Sequence, residues 1–251
     1  MPKVSVNILT KNRSQLLRRA LESVKNQSVY GLENVEVIVI SDGSADKDSD
    51  RKIAQDLLAA GLNILFFAHD QSVGITQSRQ EALEHSRGEY VAILDDDDYW
   101  LDRDKLKKQI DYLDAHPECV LAGGGIEVVS GKNKNLKFRP ETHEEIYRSM
   151  LLQNNFFTST VMFRREAAIK AGGFVTDSID WVEDYDLWLR LGKLGKMYNF
   201  KEPFTAYAQP SYNKDKFKKF LVKQLYLIKR ERNSYPFYWL AAFILKARLL
   251  F

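Results

Sequence analysis

The stretch "YVAILDDDDYW", residues 90 to 100, places four consecutive aspartates directly after a short apolar run. The apolar part is typical of a buried strand. Two carboxylates about 4 Å apart repel each other by roughly 4 kcal/mol at an effective dielectric constant of about 20. A divalent cation would turn that repulsion into attraction, and Mg²⁺ or Mn²⁺ bound to a phosphate favours such oxygen ligands. A solvated acidic loop ahead of the next helix would contain the same residues, so spacing alone leaves both interpretations open.

Three other apolar runs precede this one, and each is followed by a helical pattern. The runs are "KVSVNIL" (3 to 9), "VEVIVIS" (35 to 41) and "NILFFA" (63 to 68). Strands and helices in this alternating order predict an α/β fold with a doubly wound, mostly parallel sheet and helices on both faces. We expect Gly88 to cap the helix that precedes the fourth strand.

The composition of the 251-residue chain is that of a globular protein, with 45% hydrophobic and 28% charged residues. A single cysteine, Cys119, excludes a disulfide framework and a cysteine-based zinc site, and it fits a reducing compartment. The first residues lack the apolar stretch of a signal peptide, and no run reaches the roughly 20 apolar residues that span a bilayer. These features predict a cytoplasmic protein.

In open α/β sheets, ligands bind at the carboxyl ends of the strands, so the polar residues there are the first candidates for a site. They are Thr10, Asn12 and Arg13 after the first strand, Asp42 after the second, and the aspartates 95 to 98 after the fourth. Asp42 could accept hydrogen bonds from a base or a ribose, although its surroundings also suit an ordinary turn. The chain has neither a GxxxxGK[ST] loop nor a GxGxxG motif after its first strand, which argues against ATPases and dehydrogenases.

A second concentration of acids is "WVEDYDLWLR", residues 181 to 190. An amphipathic helix over 181 to 195 is predicted here, with Glu183 and Asp184 in its first turn, where negative charge is stabilising. One of these acids could instead serve as a general base that takes a proton from an attacking hydroxyl. Arg79, on the third helix, could meet a phosphate or lie on the surface.

In their order and spacing, these segments resemble the family-2 glycosyltransferases, which are inverting enzymes with the GT-A fold that use nucleotide sugars. The resemblance covers about residues 2 to 210. It depends on the ordered motifs "VSVNILTKNR", "VEVIVISDGSAD", "GITQSRQEAL", "GEYVAILDDDDYW", "AGGF" and "WVEDYDLWLRL". It implies transfer of a sugar from a nucleotide-diphosphate sugar, in the first place a UDP-sugar, to a hydroxyl of a glycan or lipid-linked acceptor. Surface glycan, lipopolysaccharide or glycolipid synthesis would be the setting.

The resemblance also implies a role for each strand-end residue. Asp42 would contact the base, and Arg79 would approach the nucleotide. The acidic run aligns with the family's D-x-D motif through Asp95 and Asp97. Asp95 would lie toward the ribose, and Asp97 would hold a Mn²⁺ or Mg²⁺ ion that bridges the diphosphate. The other residues of the nucleotide pocket would be Thr10, Asn12, Arg13 and Asp96.

On the acceptor side, the resemblance implies that Asp184 is the catalytic base, with Glu183 beside it. Residues 153 to 160 are expected to contribute to the acceptor pocket. The register of the D-x-D pair stays open, because Asp96 and Asp98 have the same spacing. Many relatives carry a histidine that can reach the metal where this chain has Gln209, so the set of metal ligands stays open as well.

The last 41 residues, 211 to 251, differ from the rest of the chain in charge. They hold ten Lys and Arg against two acids, whereas the preceding 210 residues hold 27 basic and 32 acidic side chains. A pair of helices is predicted, with Phe217, Leu221 and Ile228 on one face. The pair could lie in the headgroup region of an anionic membrane, which would make the protein peripheral. It could equally pack on the main domain or on the second subunit of a homodimer, and no motif supports nucleic-acid binding.

These patterns predict a glycosyltransferase domain over residues 1 to 210 and a basic, aromatic helical extension over 211 to 251. Within the domain, residues 1 to 100 would form the nucleotide-binding half and 101 to 210 the acceptor-binding half. The predicted strands of the second half are residues 120 to 129 and 158 to 163.

Two other functions fit parts of the sequence. A metal-dependent nucleotidyltransferase also combines an α/β sheet with acid-bound Mg²⁺, but it normally needs a glycine-rich loop after the first strand, and "TKNRSQ" has no glycine. A non-catalytic module that binds a sugar nucleotide would need no base, so it would keep its function when Asp184 is replaced by Asn.

Overall fold

The computed structural model describes residues 1–29, 31–130, 133–175, 181–208 and 214–250. In the first half, strands and helices alternate as predicted: β1 Val4–Thr10, α1 Ser14–Lys25, β2 Val35–Asp42, α2 Lys47–Ala59, β3 Ile64–His69, α3 Ile75–His85 and β4 Tyr90–Ile93. The second half contains β5 Tyr99–Trp100, α4 Lys105–Ala115, β6 Cys119–Ser130, β7 Asn133–Lys137, α5 His143–Ser149, β8 Met162–Arg164, α6 Arg165–Lys170, α7 Glu183–Leu191 and β9 Lys196–Ala208. Two further helices follow, α8 Lys214–Arg230 and α9 Tyr238–Leu250.

One mixed sheet runs through the protein in the order β3-β2-β1-β4-β8-β6-β9-β5, with β7 paired to β6. The strands β3, β2, β1 and β4 pair in parallel, whereas β8 is antiparallel to both of its neighbours. The predicted α/β fold class is confirmed, but the sheet is mixed rather than mostly parallel. Among the described strands, four of the eight pairings are antiparallel, and each of these involves a strand of the second half. Because β1, β2 and β4 run in the same direction, their carboxyl ends at Thr10, Asp42 and Ile93 meet at one edge of the sheet.

Both faces of the sheet are covered, and β4 shows this residue by residue. Tyr90 and Ala92 pack into a core formed with α1, α2 and α4, whereas Val91 and Ile93 pack into a second core with α3 and α7. All four residues are at most 1% exposed. Full burial of a large apolar side chain contributes roughly 1.5–3 kcal/mol. A strand with a core on each side therefore has a continuous apolar sequence.

The prediction for Gly88 is wrong. Helix α3 ends at His85, and Ser86 follows it as the cap. A Cβ on Gly88 would lie 2.5 Å from the backbone nitrogen of Ser5. Glycine is needed at this position because the chain passes close to the start of β1, and not because a helix ends there.

The strands of the second half match the prediction less closely. Residues 158 to 163 form a short 3₁₀ turn, Thr158–Thr160, and only then the strand β8. Strand β9 was not predicted, because charged residues and Pro203 interrupt its apolar pattern. It pairs with β6 over a long, irregular register that includes bulges.

The extension forms the predicted pair of helices. Leu221 and Ile228 of α8 are fully buried and belong to the same core as α7. The hydroxyl of Tyr235, between the two helices, donates a hydrogen bond of 2.7 Å to the carbonyl of Leu189 on α7. For this apolar face, the structure shows packing on the main domain.

The outer side of the extension keeps large apolar side chains in solvent. Trp239 and Phe243, four residues apart on α9, are 82% and 70% exposed. Within the described part of the chain, no helix is long and apolar enough to cross a membrane. Contact with a membrane surface or a second subunit therefore stays a prediction for this outer side.

Candidate active site

Two adjoining depressions open at the carboxyl edge of the parallel strands. We name the first the strand-edge cleft, with a volume of about 540 Å³, and the second the aromatic cavity, with about 470 Å³. They share the lining residues Ile75, Asp95 and Trp181, so ligands in the two depressions would lie side by side. The polar lining of the strand-edge cleft includes Thr10, Lys11, Arg13, Asp42, Ser72, Ser78, Asp95, Asp96 and Asp97. The aromatic cavity is also lined by Arg79, Arg139, Asn154, Phe156, Phe157, Thr158, Glu183, Asp184, Tyr207, Lys216 and Phe220.

The four aspartates alternate between partly exposed and buried positions. Asp95 and Asp97 are 33% and 34% exposed at their side chains, whereas Asp96 and Asp98 are almost fully buried. The run leads into the short strand β5, and α4 begins only at Lys105. The four aspartates therefore do not form a solvated acidic loop directly ahead of α4. The two exposed carboxylates are the pair that the D-x-D alignment selects.

The two buried aspartates are bonded within the protein. Asp96 accepts hydrogen bonds from Thr10 Oγ1 at 2.8 Å and from Arg13 Nη1 at 3.0 Å. Asp98 accepts one from Ser159 Oγ at 2.5 Å. Burial raises the pKa of Asp96 to about 6, against the hydrogen bond from Thr10 and the charge of Arg13, which lower it. These contacts hold the acidic run in a shape that leaves its other two carboxylates open to the cleft.

Arg13 partly neutralises the exposed side of the run. Its Nη1 also donates to Asp97 Oδ2 at 2.9 Å, and Arg19 Nη2 donates to the backbone oxygen of Asp97 at 2.6 Å. Burial and the neighbouring charge of Asp95 raise the pKa of Asp97, and the charge of Arg13 opposes this rise. Because half of the Arg13 side chain is exposed, a ligand in the cleft can reach the guanidinium.

Asp42 binds the loop that follows β3. Burial acts to raise the pKa of its carboxyl, but hydrogen bonds outweigh this effect and the pKa is lowered. A base in the cleft, as predicted from the resemblance, would have to share or replace one of these bonds. The partners are Ser72 Oγ at 2.6 Å, His69 Nδ1 at 3.0 Å, and the backbone nitrogens of Val73 at 2.8 Å and Gly74 at 3.2 Å.

Asn12 lies beside the cleft and is not among its lining residues. Its backbone has a φ of 57°, a left-handed conformation that asparagine tolerates better than most residues. Its side-chain oxygen accepts a hydrogen bond of 2.7 Å from the Ala45 nitrogen, and its own backbone nitrogen donates to Ser44 Oγ at 3.0 Å. Asn12 therefore shapes the turn after β2, next to a groove between α1 and α2.

Arg79 is buried between the two depressions and is 5% exposed. Its Nη2 donates to Asp95 Oδ1 at 2.9 Å, and its Nε donates to Glu183 Oε1 at 3.0 Å. Burial alone would lower the pKa of Arg79, but the charges of Asp95 and Glu183 outweigh it, and the pKa is raised. One guanidinium thus connects the acidic run of the cleft with the acid pair of the cavity.

The acid pair occupies the first turn of α7, as predicted. Glu183 is 3% exposed, and its Oε2 has no hydrogen-bond partner among the described residues. Asp184 is partly exposed and accepts hydrogen bonds from Thr158 Oγ1 and, at 2.5 Å, from the Tyr185 nitrogen. Burial raises the pKa of both carboxyls. A carboxylate with a raised pKa is a better acceptor for a proton.

The donor set of the cleft fits a cation that a bound phosphate would complete. Among the residues that the structure describes, no three His, Cys, Asp or Glu side chains converge as a metal site, and Gln209 lies outside those residues. Asp95 and Asp97 can supply one or two hard oxygen ligands. Mg²⁺ typically takes one or two carboxylates and completes its shell with water and phosphate oxygens.

Several residues that shape the site were not singled out individually from the sequence. Thr158 and Ser159 bind Asp184 and Asp98, and the Ser159 hydroxyl also accepts from the Asp95 nitrogen at 3.1 Å. The segment around them was expected near the acceptor. Arg139, after β7, gave no signal in the sequence, because its position depends on how β6 and β7 pair.

The chain belongs to glycosyl transferase family 2, whose family model matches residues 5–172. The matched region includes every lining residue of the strand-edge cleft except Trp181, and it ends before the acid pair of α7. Among curated relatives, the amylovoran biosynthesis glycosyltransferase AmsE of Erwinia amylovora is 29% identical over 193 residues, which cover 76% of this chain and 70% of that protein. The protein Rv1520 of Mycobacterium tuberculosis is 31% identical over 183 residues, or 71% of this chain and 51% of that protein.

Solved structures show the same fold, the GT-A type. Staphylococcus aureus TarS 1-349 in complex with UDP has a TM-score of 0.71 at 19% identity, over 90% of this chain and 65% of that one. The mannosyltransferase PcManGT of Pyrobaculum calidifontis, with GDP-Man and Mn²⁺, has a TM-score of 0.66 at 20% identity, over 99% of this chain and 70% of that one. The chain thus spans about half to about two thirds of the length of these proteins.

Proposed function

We propose that this glycosyltransferase moves a sugar from a nucleotide-diphosphate sugar to an acceptor hydroxyl, with inversion at the anomeric carbon and with a divalent cation. The observation that carries the proposal is the contact of Arg79 with Asp95 on one side and Glu183 on the other. This buried cation fixes the acidic run of the cleft next to the acid pair of the cavity. A direct displacement needs the donor diphosphate and the base on either side of one anomeric carbon. The base activates the hydroxyl that attacks this carbon, and the diphosphate leaves from its other face.

The strand-edge cleft is the proposed donor site. Its exposed carboxylates, Asp95 and Asp97, would face the ribose and hold the cation. When bound there, Mn²⁺ or Mg²⁺ would supply positive charge to the departing diphosphate. The likeness to TarS with UDP and to PcManGT with GDP-Man and Mn²⁺ supports a nucleotide in this position. We favour a UDP-sugar as the donor.

The aromatic cavity is the proposed acceptor site, with Asp184 as the base. Asp184 takes the proton of the acceptor hydroxyl while the oxygen forms a bond to the anomeric carbon. The bond between that carbon and the diphosphate oxygen breaks, and its electron pair leaves with the nucleoside diphosphate. Thr158 fixes the orientation of Asp184 through its hydroxyl. Glu183 stays bonded to Arg79 and keeps the first turn of α7 in place.

A glycan or a lipid-linked saccharide at the cell envelope is the proposed acceptor class. The relation to AmsE, described as an enzyme of amylovoran biosynthesis, supports a role in surface polysaccharide assembly. The family match gives no support to the nucleotidyltransferase alternative. The remaining alternative, a binding module without catalysis, differs from the proposal in what it requires of Asp184.

We further propose that the outer side of α8 and α9 rests on an anionic membrane at its cytoplasmic face. Exposed Trp239 and Phe243 would enter the headgroup region, and the exposed lysines of both helices would meet lipid charges. Sedimentation with vesicles tests this: we expect binding to phosphatidylglycerol and not to phosphatidylcholine, and its loss in a Trp239→Ser, Phe243→Ser variant. A stable homodimer that buries Trp239 and Phe243 and does not bind vesicles would contradict the proposed membrane contact.

A thermal-shift screen with UDP, GDP and dTDP, each with and without Mn²⁺, tests the donor site. We expect one nucleotide to raise the melting temperature, and the increase to be larger with Mn²⁺. If no nucleotide stabilises the protein and the metal makes no difference, the proposed function is wrong.

A further inference from the structure

Arg139 lines the aromatic cavity as a cation that has no acidic partner among the described residues. Its Nη1 donates to Gln153 Oε1 at 2.7 Å, and its Nε is buried without a hydrogen-bond partner in the described part of the chain. Within the described ranges of the chain, no carboxylate lies within 4 Å of its guanidinium, whereas Arg79 in the same cavity is bonded to Asp95 and to Glu183. Burial lowers the pKa of Arg139, which agrees with the missing counter-charge.

The surroundings of Arg139 hold the guanidinium in place. It stacks 4.7 Å from the ring centre of Phe157, and the backbone oxygen of Arg139 accepts a hydrogen bond of 2.9 Å from Lys201 Nζ. The ring of Phe157 lies 6.4 Å from that of Tyr207, centre to centre, so the two form an aromatic surface beside the cation. Stacking on an aromatic face is a contact that arginine makes better than lysine.

Arg139 is half-buried. A cation that is partly removed from water without a counter-charge among the described residues costs free energy, and a ligand of opposite charge would offset that cost. The guanidinium fork matches the oxygens of a phosphate or a carboxylate in a bidentate arrangement. Lys216 of α8 lines the same cavity. The acids Glu183 and Asp184 line the cavity as well, and Arg79 already offsets Glu183. An anionic ligand therefore suits the part of the cavity formed by Arg139 and the rings of Phe157 and Tyr207.

We infer that the acceptor carries an oxyanion group, which Arg139 binds while a hydroxyl of the same molecule faces Asp184. This inference rests on the proposed function, because it assigns the acceptor to the aromatic cavity. The oxyanion could come from a sugar phosphate, from a lipid phosphate that links the saccharide to a membrane, or from a uronic acid. All three place a negative charge next to an apolar or sugar surface, which the rings of Phe157 and Tyr207 can contact.

The test is calorimetric titration of the protein, saturated with the nucleoside diphosphate and Mn²⁺ that the thermal-shift screen selects. The probes are α-glucose 1-phosphate, geranyl phosphate, glucuronate and the neutral methyl α-glucoside. We expect at least one anionic probe to bind about tenfold or more tightly than the glucoside, and the best one to identify the source of the charge. Loss of charged hydrogen bonds in Arg139→Gln should weaken that probe about tenfold or more and leave nucleotide affinity unchanged.

Two further variants keep this test decisive. Arg139→Lys retains the charge without the planar fork, so we expect an intermediate affinity and an unchanged melting temperature. Arg148→Gln, at an exposed arginine on α5, is the matched control and should bind like the wild type. The inference is overturned if no anion binds better than the glucoside, or if Arg139→Gln binds the anion as the wild type does.

Failure of the proposed function would look different. It would appear as absent nucleotide binding, and the same titrations without nucleotide would then decide the role of Arg139.

Discussion

The strand-edge cleft and the aromatic cavity share a wall but differ in how their charges are arranged. In the cleft, carboxylates dominate, and Arg13 and Arg79 pair with them from the side. In the cavity, Arg139 has no carboxylate partner among the described residues, and rings such as Phe157 form much of the lining. A cation with a diphosphate suits the first environment, whereas an anionic acceptor suits the second. The comparison indicates that the cleft and the cavity carry charges that suit different ligands.

The two depressions also differ in how the chain builds them. The cleft comes from the ends of adjacent parallel strands, which are fixed by regular pairing within the first hundred residues. The cavity combines residues from the 139 region, the 154–158 segment, α7, β9 and α8. Its geometry therefore depends on contacts between distant parts of the sequence, including the extension.

The largest effect is expected from Arg79→Gln, which removes the cation between the two depressions. Glu183 would then stay buried without its partner, and breaking a buried ion pair typically costs about 3–5 kcal/mol. Urea denaturation should show a loss of this size in the free energy of unfolding. The matched exposed variant, Arg148→Gln, should change it by less than about 0.5 kcal/mol. A loss below about 1 kcal/mol in Arg79→Gln would contradict the bridging role.

A smaller effect is expected from Arg230→Met, which affects the cavity side alone. The guanidinium of Arg230 pairs with the fully buried carboxylate of Asp186 on α7, which Arg190 also binds. Because Arg190 remains, we expect a loss of about 2 kcal/mol in the free energy of unfolding, the size of one charged hydrogen bond. Arg232→Met, at an exposed arginine two residues away, is the control. The nucleotide affinity of Arg230→Met should stay unchanged. If this variant lost nucleotide affinity but kept its stability, the strand-edge cleft and the aromatic cavity would not be separable.

The smallest of the three effects concerns the cleft side and depends on pH. Burial acts to lower the pKa of His69, but its hydrogen bonds to Asp42 and Glu81 outweigh this, and the pKa is raised. A raised pKa in the folded state stabilises the protein fully below the unfolded value near 6.5, and this stabilisation is lost as the pH rises through the folded pKa. Compared with His69→Gln, the wild type should therefore be more stable by about 1.5 kcal/mol at pH 6 and by less at pH 9. A difference in unfolding free energy that stays constant or grows with pH would exclude this linkage.

The sequence predicted the parts of the fold that depend on local pattern. The four parallel strands were found because each is an apolar run. In β4, Val91 and Ala92 pack into cores on opposite faces of the sheet, whereas the edge strand β3 is only partly buried. The acid pair was placed in the first turn of its helix for a similar local reason. Strand β9 was missed because its pairing with β6 is a long-range contact that Pro203 and charged neighbours obscure.

Side-chain partners were the part of the site that the sequence could not supply. The residues alone left Arg79 between a phosphate contact and a surface position, and the resemblance implied an approach to the nucleotide. The structure buries it between two carboxylates, which no local pattern specifies. The bonds of Asp42 to His69, at the end of β3, and to three residues of the loop after β3 depend on the path of residues 69 to 74, which no local pattern specifies. The interest of Arg139 depends on its surroundings in the fold, where no described carboxylate lies near its guanidinium.

The most direct test of the central claim compares Asp97→Asn with Asp184→Asn. Nucleotide affinity with Mn²⁺ is measured by calorimetry, and turnover is measured as release of the nucleoside diphosphate. We predict that Asp97→Asn weakens nucleotide binding about tenfold or more, whereas Asp184→Asn keeps the affinity within about twofold and lowers turnover about 10²–10⁴-fold. Asp111→Asn, at an exposed aspartate on α4, should leave both unchanged. Full turnover in Asp184→Asn, or equal loss of nucleotide binding in both variants, would contradict the division of the site into a donor cleft and an acceptor cavity.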